Sequence, residues 1–188
     1  VNPMAVELCK VNLWLESIEP GKPLSFLDAH IQCGDSLVGV GPGLDISEIS
    51  DEAFNAAFGD DKPTATALKR RNKRERGGQL GFRWKVTELK SAEELAQWRA
   101  ERAGQVDAMP EEDPAQVQAK AQAYAELQVT QEYIHNRLEY DLWTAAFFWP
   151  IAKGDAERML APTQQELVVL RSGGELDAKL VEKVRQMA

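Results

Sequence analysis

The chain has 188 residues, 44% hydrophobic and 28% charged, a globular composition that excludes a disordered or collagen-like protein, and its net charge of −8 argues on average against a nucleic-acid binder. Two cysteines (Cys9 and Cys33) and two histidines (His30 and His135) exclude a disulfide scaffold and a zinc site of the usual spacing. No apolar run is as long as a membrane span and no secretory leader opens the chain, so we expect a cytoplasmic protein without membrane or metal.

The first predicted element is an amphipathic helix over residues 2–16. Asn2 is a good N-cap, and Pro3 suits the first helical position, where its missing N–H costs nothing. One face of this helix carries an apolar row, formed by Met4, Leu8, Val11 and Leu15. The turn-forming residues from Glu19 to Pro23 then end the helix.

A short strand is predicted next, because Ile31 and Cys33 alternate with polar neighbours before a bend at Gly34. A single strand cannot form a sheet alone, so we expect the chain to be an internal piece of a longer protein. In an open α/β sheet, ligands bind beyond the carboxyl ends of the strands, where Asp35 and the helix start at Asn2 would meet. An aspartate there can accept a hydrogen bond from an exocyclic amine. The alternative is a simple Asx turn after the strand.

From about residue 46 onward the pattern is almost wholly helical, which predicts a mainly α fragment. The first of these helices covers residues 47–58, with Ser47 or Ser50 as its cap. Another begins at Ser91, which forms a capping-box pattern with Glu94. The remaining helices are predicted over residues 63–75, residues 115–149 (the longest continuous helical pattern), the segment after Pro162 and Thr163, and residues 175–187.

The charge is distributed unevenly along the chain. Residues 61–90 carry a net charge near +7, so the rest of the chain is near −15. A basic island forms the centre of this segment and consists of Lys69, Arg70, Arg71, Lys73, Arg74 and Arg76. On a helix these six cations would form a ring and repel one another, and a phosphate backbone would relieve that repulsion. The alternative is a solvated helix end or a linker.

The sequence resembles adenine-specific DNA methyltransferases, and most closely the large bacterial enzymes of type IIG restriction–modification and phage-defence systems. Three runs near the N-terminus carry the resemblance: Asn2 to Leu8, Leu13 to Leu15, and Leu27 to Leu37. It is most specific over about residues 1–40 and continues collinearly to the end. The run from Asp141 to Pro150 resembles a helix in a long insertion of those enzymes.

The resemblance implies methyl transfer from S-adenosylmethionine to the N6 amine of adenine in double-stranded DNA. Asn2, Pro3 and Met4 would line the pocket for the adenine of the cofactor, and Asp35 with Ser36 would contact the same ring. Residues 1–44 would belong to a doubly wound, Rossmann-like α/β domain and residues 45–188 to a helical insertion. Other defence-system subunits are implied as further partners.

Two decisive motifs of that family do not occur in this chain: the glycine-rich loop and the catalytic Asn-Pro-Pro-aromatic motif. We therefore expect no methyl transfer by the chain alone. A helical DNA-binding or subunit-docking module without catalytic activity remains the alternative function. Trp84, between Arg83 and Lys85, is a further candidate for nucleic-acid contact, whereas the other tryptophans and the tyrosines are expected to pack in the core.

Overall fold

A computed structural model describes residues 2–35, 37–41, 44–80, 92–154 and 160–187. These residues form seven α-helices and one 3₁₀ helix, and they contain no strand, so the prediction of a mainly α chain is confirmed for them. The 3₁₀ helix covers Asp51–Phe54. The α-helices are α1 (Pro3–Glu16), α2 (Lys62–Arg76), α3 (Ala92–Asp107), α4 (Pro114–Gln128), α5 (Gln131–Phe148), α6 (Gln164–Arg171) and α7 (Ala178–Met187).

The chain folds as two compact units, and each unit is built from two separate stretches of sequence. Unit 1 comprises residues 1–37 and 93–134 and contains α1, α4 and nearly all of α3. Unit 2 comprises residues 38–92 and 135–188 and contains the 3₁₀ helix, α2, most of α5, α6 and α7.

In unit 1, α1 begins as predicted: the Asn2 side chain accepts a hydrogen bond from the Met4 N–H at 3.0 Å, and Pro3 follows in the first turn. The apolar row does not become a buried face, since Met4 is 65% and Leu8 57% exposed. The buried residue of α1 is instead Lys10, whose ammonium group lies 2.8 Å from Glu7 and 2.6 Å from Asp28.

The predicted strand at residues 31–33 is wrong, because these residues lie in an irregular loop. A strand requires a neighbour that pairs with its backbone, and no described residue supplies one. Side chains hold the loop instead: the Phe26 N–H donates to Glu111 at 3.2 Å, and the Gln32 amide donates to the Tyr124 hydroxyl at 2.6 Å. The Phe26 and Tyr124 rings also make an edge contact.

The long helix predicted over residues 115–149 is also wrong, because α4 ends at Gln128 and α5 begins at Gln131. Thr130 explains the break. Its hydroxyl donates to the Leu127 carbonyl at 2.7 Å and accepts from the Tyr133 N–H at 3.3 Å. A threonine side chain that bonds nearby backbone groups offers the chain an alternative to a continuous helix.

The core of unit 2 is a cluster of apolar side chains that come mainly from the 3₁₀ helix and from α2, α5, α6 and α7. Its fully buried members include Ile49, Phe54, Leu68, Leu142, Leu167, Leu180 and Val184. The helix predicted over residues 47–58 is only the 3₁₀ helix, which Ser50 caps by accepting from the Glu52 N–H at 3.2 Å. Phe54, the last residue of this short helix, anchors the chain in the core, and the residues after it form a turn.

Candidate nucleic-acid interface

Helix α2 carries the basic island, and its start is fixed locally. Asp61 caps the helix, with one carboxylate oxygen accepting from the Thr64 hydroxyl at 2.6 Å and from the Thr64 N–H at 3.0 Å. These two hydrogen bonds hold the pKa of Asp61 below its ordinary value. The helix ends at Arg76 with Gly77 as its C-cap, and Gly78 then adopts a φ of +86°, a conformation that favours glycine.

The inner face of α2 packs on the core of unit 2 through Ala65 and Leu68. Arg71 also points to this side, where its Nε lies 2.6 Å from Glu75 and its Nη2 lies 2.7 Å from Glu166 of α6. The side chains of Glu75 and Glu166 are 5% and 10% exposed. Arg71 therefore forms ion pairs with two carboxylates inside the fold and is not free to bind a phosphate.

Two further cations of the island also have partners within unit 2. Arg76 lies against Glu48, with its Nε 2.8 Å from the carboxylate, and its Nη1 is 3.6 Å from Asp51. The Lys69 ammonium group donates to the side-chain oxygen of Asn55 at 2.7 Å. Lys69 is nevertheless exposed, and its partner is neutral, so it retains its charge for the surface.

The remaining three cations, Arg70, Lys73 and Arg74, are exposed and form what we call the basic face of α2. Their spacing of three and four residues places them on one side of the helix. Together with Ala67 they line a shallow hollow of about 620 Å³. Among the described residues no carboxylate forms an ion pair with any of them. The predicted ring of six cations is thus wrong, because carboxylates of unit 2 draw two of the cations away from it. Glu75 and Glu166 pair with Arg71, and Glu48 and Asp51 pair with Arg76.

The residues that the resemblance assigns to the cofactor lie in unit 1, apart from Ser36, which is outside the described residues. Asn2, Pro3 and Met4 form the exposed start of α1. Asp35 accepts from the Leu37 N–H at 2.9 Å and so forms the Asx turn that the sequence left open as the alternative. No hydrogen bond in the described part of the chain joins Asp35 to the start of α1.

Two of the described tryptophans, Trp143 and Trp149, pack in or against the core of unit 2, as expected. Trp149 is 4% exposed in the core of unit 2, and the Trp143 indole N–H donates to the Glu48 carbonyl at 2.9 Å. Trp14 likewise donates to the Ser25 carbonyl in unit 1. Trp84 lies outside the described residues, so its proposed contact with nucleic acid stays a prediction.

A buried polar cluster, which was not predicted from the sequence, lies between α2 and the start of α6. The Gln164 N–H donates to Asn72 at 2.9 Å, and the Gln165 N–H donates to Glu75 at 3.0 Å. These α2 side chains thereby satisfy the unpaired N–H groups of the first turn of α6. The available signal was the Thr163 to Glu166 spacing, since Glu166 accepts from the Thr163 N–H at 2.9 Å.

Comparison with protein-family models, with curated proteins and with solved structures finds no match for this chain. In the described ranges no helix is both long and apolar enough to cross a membrane. Nor does the same part of the chain bring three or more His, Cys, Asp or Glu side chains together as a metal site.

Proposed function

We propose that the chain is part of an adenine-specific DNA methyltransferase of the type IIG restriction–modification or phage-defence class, and that α2 contacts its DNA. The enzyme would transfer a methyl group from S-adenosylmethionine to adenine N6. The resemblance over residues 1–40 supports the chemistry. The observation that carries the DNA contact is the basic face of α2, with three exposed cations in a chain whose net charge is −8.

The basic face fits a phosphate backbone better than it fits a protein surface. Three cations without ion-pair partners in the described chain repel one another, and binding to DNA replaces that repulsion with attraction and releases condensed counterions. Neighbouring side chains on one helix face lie about 5–6 Å apart at Cβ, so Arg70, Lys73 and Arg74 can contact adjacent phosphates. Contacts of this kind position a protein on DNA and carry no sequence information.

The cofactor site is proposed for unit 1, with Asn2, Pro3, Met4, Asp35 and Ser36 as its residues. The exposed apolar row of α1 supports a place in a Rossmann-like domain, because helices in such domains bury one face against a sheet. The start of α1 and the Asp35 turn would then lie at the sheet edge where ligands bind. Asp35 would have to exchange its bond to the Leu37 N–H for one to the cofactor, or use its second oxygen.

A triple substitution of the basic face tests the DNA contact. We expect R70A/K73A/R74A to weaken binding to a DNA duplex and to reduce the slope of log K against log salt by up to about 2.7, since each phosphate contact contributes about 0.9. The measurement is fluorescence anisotropy of a labelled duplex over a salt series.

The matched control removes the same charge from other exposed cations of unit 2, in the variant R137A/K179A/R185A. We expect it to change the slope little. If the two triple variants lose affinity equally, the effect is one of net charge and the proposed contact at α2 is wrong. If neither variant changes binding, none of these six cations contacts DNA, and the proposed contact at α2 is wrong.

The same face would serve the alternative function, a DNA-binding module without catalysis. Cofactor binding separates the two. Specific binding of S-adenosylmethionine that is lost on substitution of Asp35 favours the methyltransferase, whereas DNA binding without any cofactor binding by the complete protein favours the module.

A further inference from the structure

The turn after the 3₁₀ helix of unit 2 presents an aromatic ring to solvent. Residues 56–59, which we call the Phe58 tip, read Ala-Ala-Phe-Gly, and Phe58 is fully exposed. Gly59 has a φ of +96°, the left-handed conformation that allows the chain to reverse directly after the phenylalanine. Four residues earlier, Phe54 is buried in the core at 1% exposure, so the two rings have opposite environments.

Hydrogen bonds fix the tip from its C-terminal side. One carboxylate oxygen of Asp60 accepts from the Ala57 N–H at 2.8 Å, and the other accepts from the Ile151 N–H at 3.1 Å. The Asp61 N–H donates to the Ile151 carbonyl at 3.0 Å. Ile151 belongs to the core of unit 2, so these bonds attach the turn to the core.

The N-terminal side of the tip is attached to α2. Asn55 accepts from the Lys69 ammonium group at 2.7 Å, and its own N–H donates to the Glu52 carbonyl at 3.0 Å. Lys69 directly precedes Arg70, the first residue of the basic face. Three residues of chain span at most about 10 Å, so the Phe58 backbone lies within that distance of the Asn55 backbone. The side chain of Asn55 is the one that binds the Lys69 ammonium group.

A single exposed apolar side chain is common and needs no function. Phe58 differs because hydrogen bonds on both sides hold its turn in place, which reduces the entropy that a contact would cost. The tip also carries no side chain that can bind a phosphate or read a base edge, since its other residues are alanine and glycine. The only recognition chemistry that its side chains offer is the face of an aromatic ring.

The charges around the tip favour a base over the backbone as its ligand. Asp60 and Asp61 directly follow the tip and repel phosphate on its C-terminal side, although the Lys69 ammonium group lies at Asn55 on its N-terminal side. The basic face attracts phosphate further along α2. A nucleobase has no net charge, and stacking on an aromatic side chain tolerates any base.

We infer that Phe58 stacks on the face of an unpaired nucleobase while the basic face of α2 holds the adjoining DNA backbone. This inference rests on the proposed DNA contact, and it adds that an unpaired base is the feature of the DNA that the chain recognises. Duplex DNA exposes such a base wherever one partner of a pair has been extruded, as enzymes that modify bases require.

The test compares two labelled duplexes of the same sequence, one fully paired and one with a single unpaired 2-aminopurine. We expect the chain to prefer the second duplex by about five-fold or more, the value of one stacked base. Phe58→Ala should abolish that preference without changing the salt slope, and Phe58→Trp should retain it together with the change in 2-aminopurine fluorescence. Phe148→Ala, at another exposed phenylalanine of unit 2, is the matched control and should behave like the unsubstituted chain.

The outcomes separate this inference from the proposed function. R70A/K73A/R74A should weaken binding to both duplexes and keep their ratio. If Phe58→Ala keeps the preference, or if no preference exists while binding remains salt-dependent, the stacking inference is overturned and the DNA contact stands. If the unsubstituted chain binds neither duplex, both are overturned. Because Phe58 is fully exposed, its substitution should leave thermal unfolding unchanged, which excludes misfolding as the cause of a loss.

Discussion

Arg70 and Arg71 are neighbours with the same side chain and opposite environments. Arg70 is exposed on the basic face, whereas the Arg71 side chain is 11% exposed and bridges Glu75 and Glu166. One residue of helical rotation, about 100°, separates the two positions and decides which cation can meet DNA. Counting charges along the sequence treats the two arginines alike, and for that reason it overestimated the number of cations available at the surface.

His135 is the residue whose protonation the fold opposes most directly. Its Nε2 is buried without a hydrogen-bond partner among the described residues, and burial lowers its pKa, although the nearby Glu139 carboxylate acts in the opposite direction. Glu139 is 1% exposed and is paired with Arg171, which limits how much it can stabilise a protonated imidazole. The neutral ring is therefore the form that the folded chain prefers.

The pH dependence of stability follows from this lowered pKa. In the unfolded chain the histidine binds a proton below about pH 6.5, whereas the folded chain binds it only at lower pH, so the free energy of unfolding falls as the pH drops from about 7 to 5. We expect His135→Gln to show a smaller fall over this range. Urea unfolding at both pH values measures it, with a third pH well above 7 as the reference. An equal fall in both proteins would contradict the prediction.

At the scale of elements, α2 and α6 are joined by polar contacts that leave few buried groups unpaired. Asn72 is fully buried, and its amide donates to the Ile49 carbonyl and to Asp51, each at 2.8 Å. Its side-chain oxygen accepts from the first turn of α6. A network of this kind specifies one arrangement of the helices, because any shift leaves several buried groups without partners.

Removing Arg71 should weaken the contact between α2 and α6. We expect Arg71→Met to lower the free energy of unfolding by about 3–5 kcal/mol, since it leaves Glu75 and Glu166 as buried carboxylates without their counter-ion. The control Arg70→Met changes an exposed neighbour and should stay within about 0.5 kcal/mol. Urea denaturation of both variants measures the difference. Similar small losses in the two variants would mean that the ion pairs contribute little.

The local elements were predictable where a side chain marks a helix start by itself. Asn2 before Pro3 and Thr163 after Pro162 cap the helices that the sequence assigned to them. Ser50 was one of two candidate caps, and it caps only a 3₁₀ helix inside the helix predicted over residues 47–58. The break at Thr130 was missed because neither proline nor glycine marks it, and a threonine inside a helical pattern is compatible with both outcomes. The strand predicted at Ile31 is wrong for another reason. Alternation of apolar and polar residues indicates that a segment could be a strand, but a strand forms only where a neighbouring strand pairs with it.

At the scale of the molecule, each unit combines stretches that are far apart in sequence. Glu166 meets Arg71 across 95 positions, and Tyr124 meets Gln32 across 92. Contacts over such separations leave no periodic trace in either stretch. The sequence could therefore predict that α2 is basic and helical but not which of its cations face the core, and the division into residues 1–44 and 45–188 stays a prediction.

The chain alone should transfer no methyl group to DNA. The resemblance assigns catalysis to an Asn-Pro-Pro-aromatic motif, and this sequence contains no such motif. The measurement is transfer of a radiolabelled methyl group from S-adenosylmethionine to a DNA duplex, with a complete adenine methyltransferase as the positive control. Turnover by the chain alone would contradict the prediction that catalysis requires a motif outside this sequence.

The two sides of α2 differ in how freely they can change. On the inner side, Leu68, Arg71, Asn72 and Glu75 are fixed by partners elsewhere in unit 2, so nearly every exchange there alters stability. On the basic face no described ion pair constrains Arg70, Lys73 or Arg74. Single substitutions on the basic face could therefore change the affinity for DNA without lowering the stability of the fold below what folding requires. Tolerance to substitution along α2 would then rise and fall with the 3.6-residue period of the helix.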